Sequence, residues 1–442
     1  IMLIIFFFIL FIGMWSVVSG GYDKQNKTIL FLKEFIPTDV SRKVRDIIFI
    51  IPNLKKKNKF LNKQVTKYEQ GLNGELFNEE IVLLKNNKTS YLLKEFFLPF
   101  PRLDISLGWE ATTNSLRAHY LALAGDKVIV ISGEGKTIYF KKNNIFNKKL
   151  NQFKISNNIE NILEKNNFKL IGIRDLFIED NEVYISLIFK NLKGYSINVY
   201  KADFDIKKLS FELFFETKAY WSDYTVFTGG RLSNYKDNKV LFSIGYASTD
   251  NAAQDLDSLL GKIISINKQT NKHQIISIGH RNPQGLLYIE NSNIIVNTEH
   301  GPKGGDEINL NFLKGDKIAN YGWDIASYGI AYDGTDPYKK SHIKNGFVEP
   351  FKNYTPSIGI SQIVYLPKNL NLKDEKHFFI SSLRAASLYI VKMDEEFNKI
   401  LDEDRLFFKN QRIRDMEYDS ENNLFFLLFE TTPSIGVLKL NN

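Results

Sequence analysis

Residues 173–187 read IRDLFIEDNEVYISL, and residues 413–428 read IRDMEYDSENNLFFLL. Each is an apolar strand, a polar turn carrying Asp or Asn, and a second apolar strand. Short apolar runs bounded by such turn residues read as paired β-strands. The same unit recurs with first residues His119, Arg174, Arg231, Gln284, Gln362 and Arg414. The intervals are about 52–57 residues, with one of about 78, and a period of this size with several short strands per unit marks a β-propeller. Six copies predict six blades. No long amphipathic pattern interrupts the series, which argues against alternating strands and helices. The long interval carries an insertion, roughly 311–357, that includes Asn320-Tyr321-Gly322-Trp323 and Tyr354-Thr355-Pro356-Ser357. The last strand, near residues 435–440, is expected to seal the ring by pairing within or across blades.

Composition agrees with an all-β chain. Among 442 residues there are 35 Phe and 21 Tyr, types that favour strands. The net charge of +8 does not make a nucleic-acid face. Its densest run, Lys55-Lys56-Lys57-Asn58-Lys59, lacks the interleaved aromatic residues such a face needs. The absence of cysteine excludes disulfides, thiolate metal sites and cysteine nucleophiles. Residues 2–18 are almost uninterruptedly apolar, and Val18-Ser19-Gly20 suits a cleavage site with small residues. This predicts either a signal peptide or a short membrane tether within residues 1–20, hence an exported chain. Residues 21–95 read as a small N-terminal extension, and 96–442 as the propeller.

The chemistry concentrates in 279–323. Arg281-Asn282-Pro283 sets a guanidinium, suited to paired anionic oxygens, beside an amide in a stiff loop. Gly301-Pro302 followed by Gly304-Gly305-Asp306-Glu307 offers exposed carbonyls and hard oxygen donors, which calcium favours, although an ordinary glycine-rich turn has the same look. His280 and His300 read as hydrogen-bonded structural histidines. Arg412 and Arg414 are alternate residues and face one way if extended. Two like charges there need either an acidic partner, for which Asp415 and Glu417 are the near candidates, or an anionic ligand. Arg384 follows a strand end and can join them. The polar residue that opens each repeat falls on a ring around the axis, either tying blades together or lining an anion site. There is no HExxH, P-loop or GxSxG, which argues against zincin, nucleotide and α/β-hydrolase chemistry.

In order, GHRNPQGL, EHGPKGGDEINL, NYGW, YTPSI, SSLR and RIRD resemble the soluble glucose/sorbosone dehydrogenase family. The resemblance is clear over roughly 219–430 and weak over the first two blades. It implies an exported six-bladed propeller, periplasmic and either soluble or anchored to the inner membrane, that oxidises an aldose with pyrroloquinoline quinone (PQQ) and calcium. It further implies that Arg281 and Asn282 contact the quinone and that Arg412 and Arg414 bind its carboxylates. Arg384 stands where the family often has a cofactor-contacting lysine. The carbonyls of Gly301 and Pro302 would face the calcium, with Asp306 supporting that loop. The partner implied is a small sugar; the electron acceptor is not specified.

The chain departs from the family at its chemistry. The histidine base of the family falls at Phe227, before Thr228-Gly229-Gly230-Arg231-Leu232, and the aspartate that orients it falls at Tyr246. No histidine lies between His119 and His273. The sequence therefore supports two readings: a quinoprotein oxidoreductase whose base is not named by the motif, or a non-catalytic propeller that binds an anionic saccharide or an envelope partner. A calcium lactonase would need scattered Glu, Asn and Asp ligands that are not recognisable here.

Overall fold

The computed structural model describes residues 58–63, 65–76, 82–85, 90–100, 118–313, 315, 317–366, 376–409 and 411–441. The chain divides into two units: Ile1–Lys67 with Leu103–Ile105, and Tyr68–Arg102 with Ser106–Asn442. The described part of the first unit, 58–63 and 65–67, is helical. The apolar stretch 2–18 lies outside the described residues.

The second unit is a six-bladed β-propeller, as the repeat predicts. The blades are antiparallel sheets spanning 119–157 (blade I), 169–216 (II), 229–278 (III), 283–354 (IV), 360–407 (V) and 413–441 (VI). Their innermost strands are His119–Ala124, Lys169–Glu179, Gly229–Tyr235, Pro283–Ile289, Ile360–Leu366 and Ile413–Asp419. Each touches the next in order, and the last returns to the first, which closes the ring.

Each blade is covered on both faces by its neighbours. That is why strands such as Leu424–Phe429 (LFFLLF) are buried at every position, without the alternation of a half-exposed strand. The core is six interblade layers. Phe140 and Phe426 meet between blades I and VI, Phe379 and Phe425 between V and VI, and Ile295 meets Leu241 between III and IV. The hairpin turns have the chemistry expected of them. Asp180 and Asn181, between the paired Glu179 and Glu182, both take positive φ (50° and 65°). This primed turn matches the twist of the flanking strands.

Closure differs from the boundary drawn at residue 96. Strand Ser434–Asn441 pairs with Leu424–Phe429 on one side and with Ser90–Phe97 on the other, and Val82–Lys85 adds outside that. The chain upstream of the first repeat thus supplies the outer strands of the last blade, and the propeller begins before residue 96. Sequence reading missed this because SYLLKEFF is laced with polar residues, as an outer strand can be. Glu75 and Leu76 also bridge to Lys149 and Phe96.

Five inner strands carry a register shift at one equivalent place: between Ile173 and Asp175, Gly229 and Leu232, Pro283 and Gly285, Ile360 and Ile363, and Ile413 and Asp415. Such irregularities re-aim a side chain. The residues re-aimed include Arg174, Arg231, Gln284, Gln362 and Arg414, the polar residues that open the repeats. Most of them tie blades together. Arg174 Nε donates to the Gly229 carbonyl at 3.1 Å. Arg231 bridges Asp175 at 2.9 Å and Asp415 at 2.6 Å, linking blade III to blade II and, across the axis, to blade VI. The same carboxylates accept the amides of Leu232 and Leu121 from the following blades. Burial pushes the Asp175 carboxyl up to about 7 against the pull of Arg231, with Asp415 adding like-charge repulsion.

Candidate functional site

In a blade of antiparallel strands, the connection into the inner strand and the loop between the second and third strands emerge at the same end. Phe227, Arg281-Asn282, Gly359 and Arg412 lie on connections into inner strands. Tyr246, His300-Gly301-Pro302, Arg384 and Glu430 lie between second and third strands. Topology therefore gathers all of them at one mouth of the ring. The insertion reaches the same mouth. Ala319–Asn320 runs parallel to Ser277–Ile278 at the edge of blade III, and the Trp323 amide donates to the Gly279 carbonyl at 3.0 Å.

Arg281 is the centre of the arrangement and only 3% exposed. Its Nη1 donates to the carbonyls of His300 (2.9 Å) and Gly301 (2.7 Å), and its Nη2 reaches the Tyr332 hydroxyl at 3.4 Å. The guanidinium lies 4.3 Å from the Phe227 ring, 5.1 Å from Trp323 and 5.9 Å from Tyr332. Phe227 stacks with Tyr246 at 6.0 Å, and Tyr246 meets Trp323 edge-on at 5.2 Å. The position where the resemblance places a base, Phe227, is thus a wall of an aromatic cage around a cation, and the position of its orienting acid, Tyr246, packs behind that wall. Their backbones are interlocked: the Tyr246 amide donates to the Arg281 carbonyl and the Ala247 amide to the Phe227 carbonyl, both at 3.0 Å. Behind the guanidinium is a cavity of about 10 Å³, lined by Glu299, Glu307 and Tyr321 among others, with room for about one water.

Glu299 sets the Arg281-Asn282 loop. Its Oε1 accepts the backbone amides of both residues, and its Oε2 lies 2.9 Å from His280 Nδ1. His280 Nε2 in turn lies 2.7 Å from Ser277 Oγ. All three side chains are buried, so His280 is a structural residue, as expected.

Asp306 braces the loops around it. Its Oδ1 accepts the Gly301 amide at 3.1 Å, and its Oδ2 accepts those of Gly359 (2.7 Å) and Ile360 (3.0 Å). Burial pushes its carboxyl up, but the His300 imidazole 3.8 Å away and the Ile360 amide hold it below the usual range. Gly301 needs its missing side chain, because a Cβ there would meet the Gly305 carbonyl oxygen at 2.1 Å. Pro302 is buried against Gly329.

The calcium expected at Gly301 and Pro302 does not fit this arrangement. The Gly301 carbonyl is already engaged by Arg281, and two unit charges 4 Å apart repel by about 4 kcal/mol at an effective dielectric of 20, doubled for a divalent ion. Among the described residues, no group of three His, Asp or Glu side chains is placed to hold a metal ion.

Arg412 and Arg414 do face one way, and their acidic partner is Glu430, not Asp415 or Glu417. Glu430 Oε2 lies 3.2 Å from Arg412 Nε and its Oε1 2.5 Å from Arg414 Nε. The sequence hid this because the partner sits on the next loop of the blade, sixteen or more residues away. Arg414 Nη1 donates to Gln284 Oε1 at 2.9 Å, and Gln284 Nε2 donates to Asn282 Oδ1 at 3.0 Å. Arg412, Glu430, Arg414, Gln284 and Asn282 therefore form one hydrogen-bonded chain from blade VI to blade IV. Arg384 is exposed beside Gly359, and among the described residues its side chain has no hydrogen-bond partner.

Burial alone would push the Glu430 carboxyl up, but Arg414 and Arg412 hold it down at about 2. A carboxyl lowered on folding contributes stability that is present above its unfolded value and is lost as pH falls through the folded one. Glu430→Gln is expected to lower stability by up to about 3 kcal/mol at pH 7. The deficit should close between about pH 4.5 and pH 2, as urea unfolding of both chains at each pH will show. A deficit independent of pH would mean that the carboxylate charge is not what holds the two arginines.

The glucose / sorbosone dehydrogenase family model matches residues 127–435, and so takes in blade II and blade I after its inner strand, where the motifs are weak. Aldose sugar dehydrogenase YliI of Escherichia coli is 29% identical over 222 residues, which is 47% of this chain and 58% of that protein. Quinoprotein glucose dehydrogenase B of Acinetobacter calcoaceticus is 25% identical over 288 residues, 47% of this chain and 59% of that protein. The chain thus spans less than two thirds of the length of these curated relatives. In fold it is similar to a crystal structure of a glucose dehydrogenase (TM-score 0.61, 22% identity, 74% of this chain and 97% of that one). It is likewise similar to the PQQ-bound aldose sugar dehydrogenase of Streptomyces coelicolor (TM-score 0.53, 17% identity, 82% and 99%).

Proposed function

Because the chain belongs to the glucose / sorbosone dehydrogenase family, we propose that it is an exported quinoprotein oxidoreductase that binds a PQQ-type cofactor and acts on an aldose or a related sugar alcohol. The observation that carries this reading is the hydrogen-bonded chain from Asn282 through Gln284 and Arg414 to Glu430 and Arg412, set at the same mouth as Arg281 and Arg384. Guanidinium groups gathered at one mouth suit a ligand with several carboxylates. When bound, the quinone supplies the hydride-accepting group. The chain's own part is to hold its acidic groups on Arg384, Arg412 and Arg414 and to keep Arg281 and Asn282 rigid through Glu299. Calcium is not part of the proposal, for the reason given by Arg281. Residues 2–18 serve as a signal peptide or a tether to the inner membrane in this reading.

A second reading is favoured by the Phe227–Tyr246 stack. Neither side chain takes a hydroxyl proton readily, and burial pushes the Tyr246 phenol above its ordinary value. A propeller that retains the cationic mouth and lacks a base would bind an anionic saccharide without oxidising it. The two readings separate on titration of the purified chain with PQQ, followed by addition of aldoses. Saturable binding at micromolar cofactor, with bleaching of the quinone absorbance by an aldose, is the expected result. Absence of quinone binding would remove the oxidoreductase reading.

A further inference from the structure

The carbonyls of His300 and Gly301 point at one spot, and a positive charge already stands there. Arg281 Nη1 donates to both, at 2.9 and 2.7 Å. The position is built around that side chain. Asp306 fixes the Gly301 amide from below, and Glu299 fixes the Arg281 and Asn282 amides. Phe227 covers the guanidinium at 4.3 Å, and Trp323 and Tyr332 flank it. Cation–π attraction of this kind is strongest where the cation is desolvated, and Arg281 is buried. A guanidinium is also less strongly hydrated than an ammonium group, which suits it to such a site. Phe227 thus acquires a role, the stabilisation of a cation contributed by the chain, and Tyr246 packs against both Phe227 and Trp323.

We infer that the Arg281 guanidinium is the resident cation of the His300–Gly301 carbonyl cradle, so that this mouth takes its anionic ligand without a divalent metal ion. The inference rests on the quinone reading only for the choice of ligand. The cradle itself is defined by the contacts of Arg281. A divalent ion at the same carbonyls and Arg281 in its cage exclude one another.

The test titrates the full chain with PQQ, once with a chelator and once with millimolar calcium. For the unaltered chain the two affinities are expected to agree within about fivefold, the lower end of ordinary coupling between two ligands. Strengthening by calcium beyond that overturns the inference. Arg281→Ala frees the two carbonyls and is expected to make binding calcium-dependent. If PQQ does not bind at all, the proposed function fails, and the cradle is tested without it. Terbium emission sensitised by Trp323 is then expected from Arg281→Ala and not from the unaltered chain. Equal emission from both would overturn the inference.

Discussion

Replacing Arg231 by methionine is expected to lower folding stability by about 3–5 kcal/mol, the range for removing one partner of a buried ion pair. The guanidinium is buried between Asp175 of blade II and Asp415 of blade VI and lies 5.3 Å from the Tyr120 ring of blade I. Methionine fills much of the volume but leaves two buried carboxylates without a cation. Asp175, which burial already pushes up, then favours its protonated form, so the folded state of the variant binds a proton that the unfolded state has released. Its stability should fall as pH rises through the ordinary carboxylate range and above, and the deficit should be smallest in acid. Urea unfolding at pH 5 and pH 8 checks the size and the sign. The triple variant Arg231→Met/Asp175→Asn/Asp415→Asn keeps acceptors for the Leu232 and Leu121 amides and removes both charges. It should recover most of the loss. If it does not, the interaction across the axis is one of packing and the electrostatic account is wrong.

The second large effect concerns chemistry. Phe227→His/Tyr246→Asp is expected to raise turnover of an aldose by about 10²–10⁴-fold, the usual contribution of a positioned general base. The backbone frame for that pair is already present. The Tyr246 amide bonds to Arg281, the Ala247 amide to Phe227, and the two rings stack 6.0 Å apart. A histidine at 227 would project toward Arg281, and an aspartate at 246 would stand beside it. Stopped-flow reduction of the bound quinone is the measurement, because it isolates the chemical step from reoxidation. A rate unchanged from the parent chain, with quinone bound equally well, would place the proton acceptor elsewhere at the mouth. The single variant Phe227→His should give a smaller gain, since nothing then orients the imidazole.

The Arg pair shows how far local pattern carries. That Arg412 and Arg414 share a face follows from strand geometry alone. That they need a counter-charge follows from electrostatics. That the counter-charge is Glu430 follows from neither, because Glu430 arrives on the loop between the second and third strands of the same blade. The cage around Arg281 has the same origin. Phe227 comes from one connection and Trp323 and Tyr332 from the insertion, and nothing in their spacing announces a common centre. The supporting role of Asp306 came from the family resemblance, not from local pattern, which offered it only as an oxygen donor.

By itself the sequence determined the blade number, the turn chemistry of the hairpins, the residues that open each repeat and the mouth at which the polar loops gather. These follow from periodicity, which is a local property repeated along the chain. Only the tertiary structure decided that residues 82–97 complete the last blade and that the opening residues mostly tie blades together. It also decided that the cation facing Gly301 is Arg281. Each of those depends on groups from different blades meeting at one point, and closure of the ring, not the order of residues within a repeat, decides which groups meet.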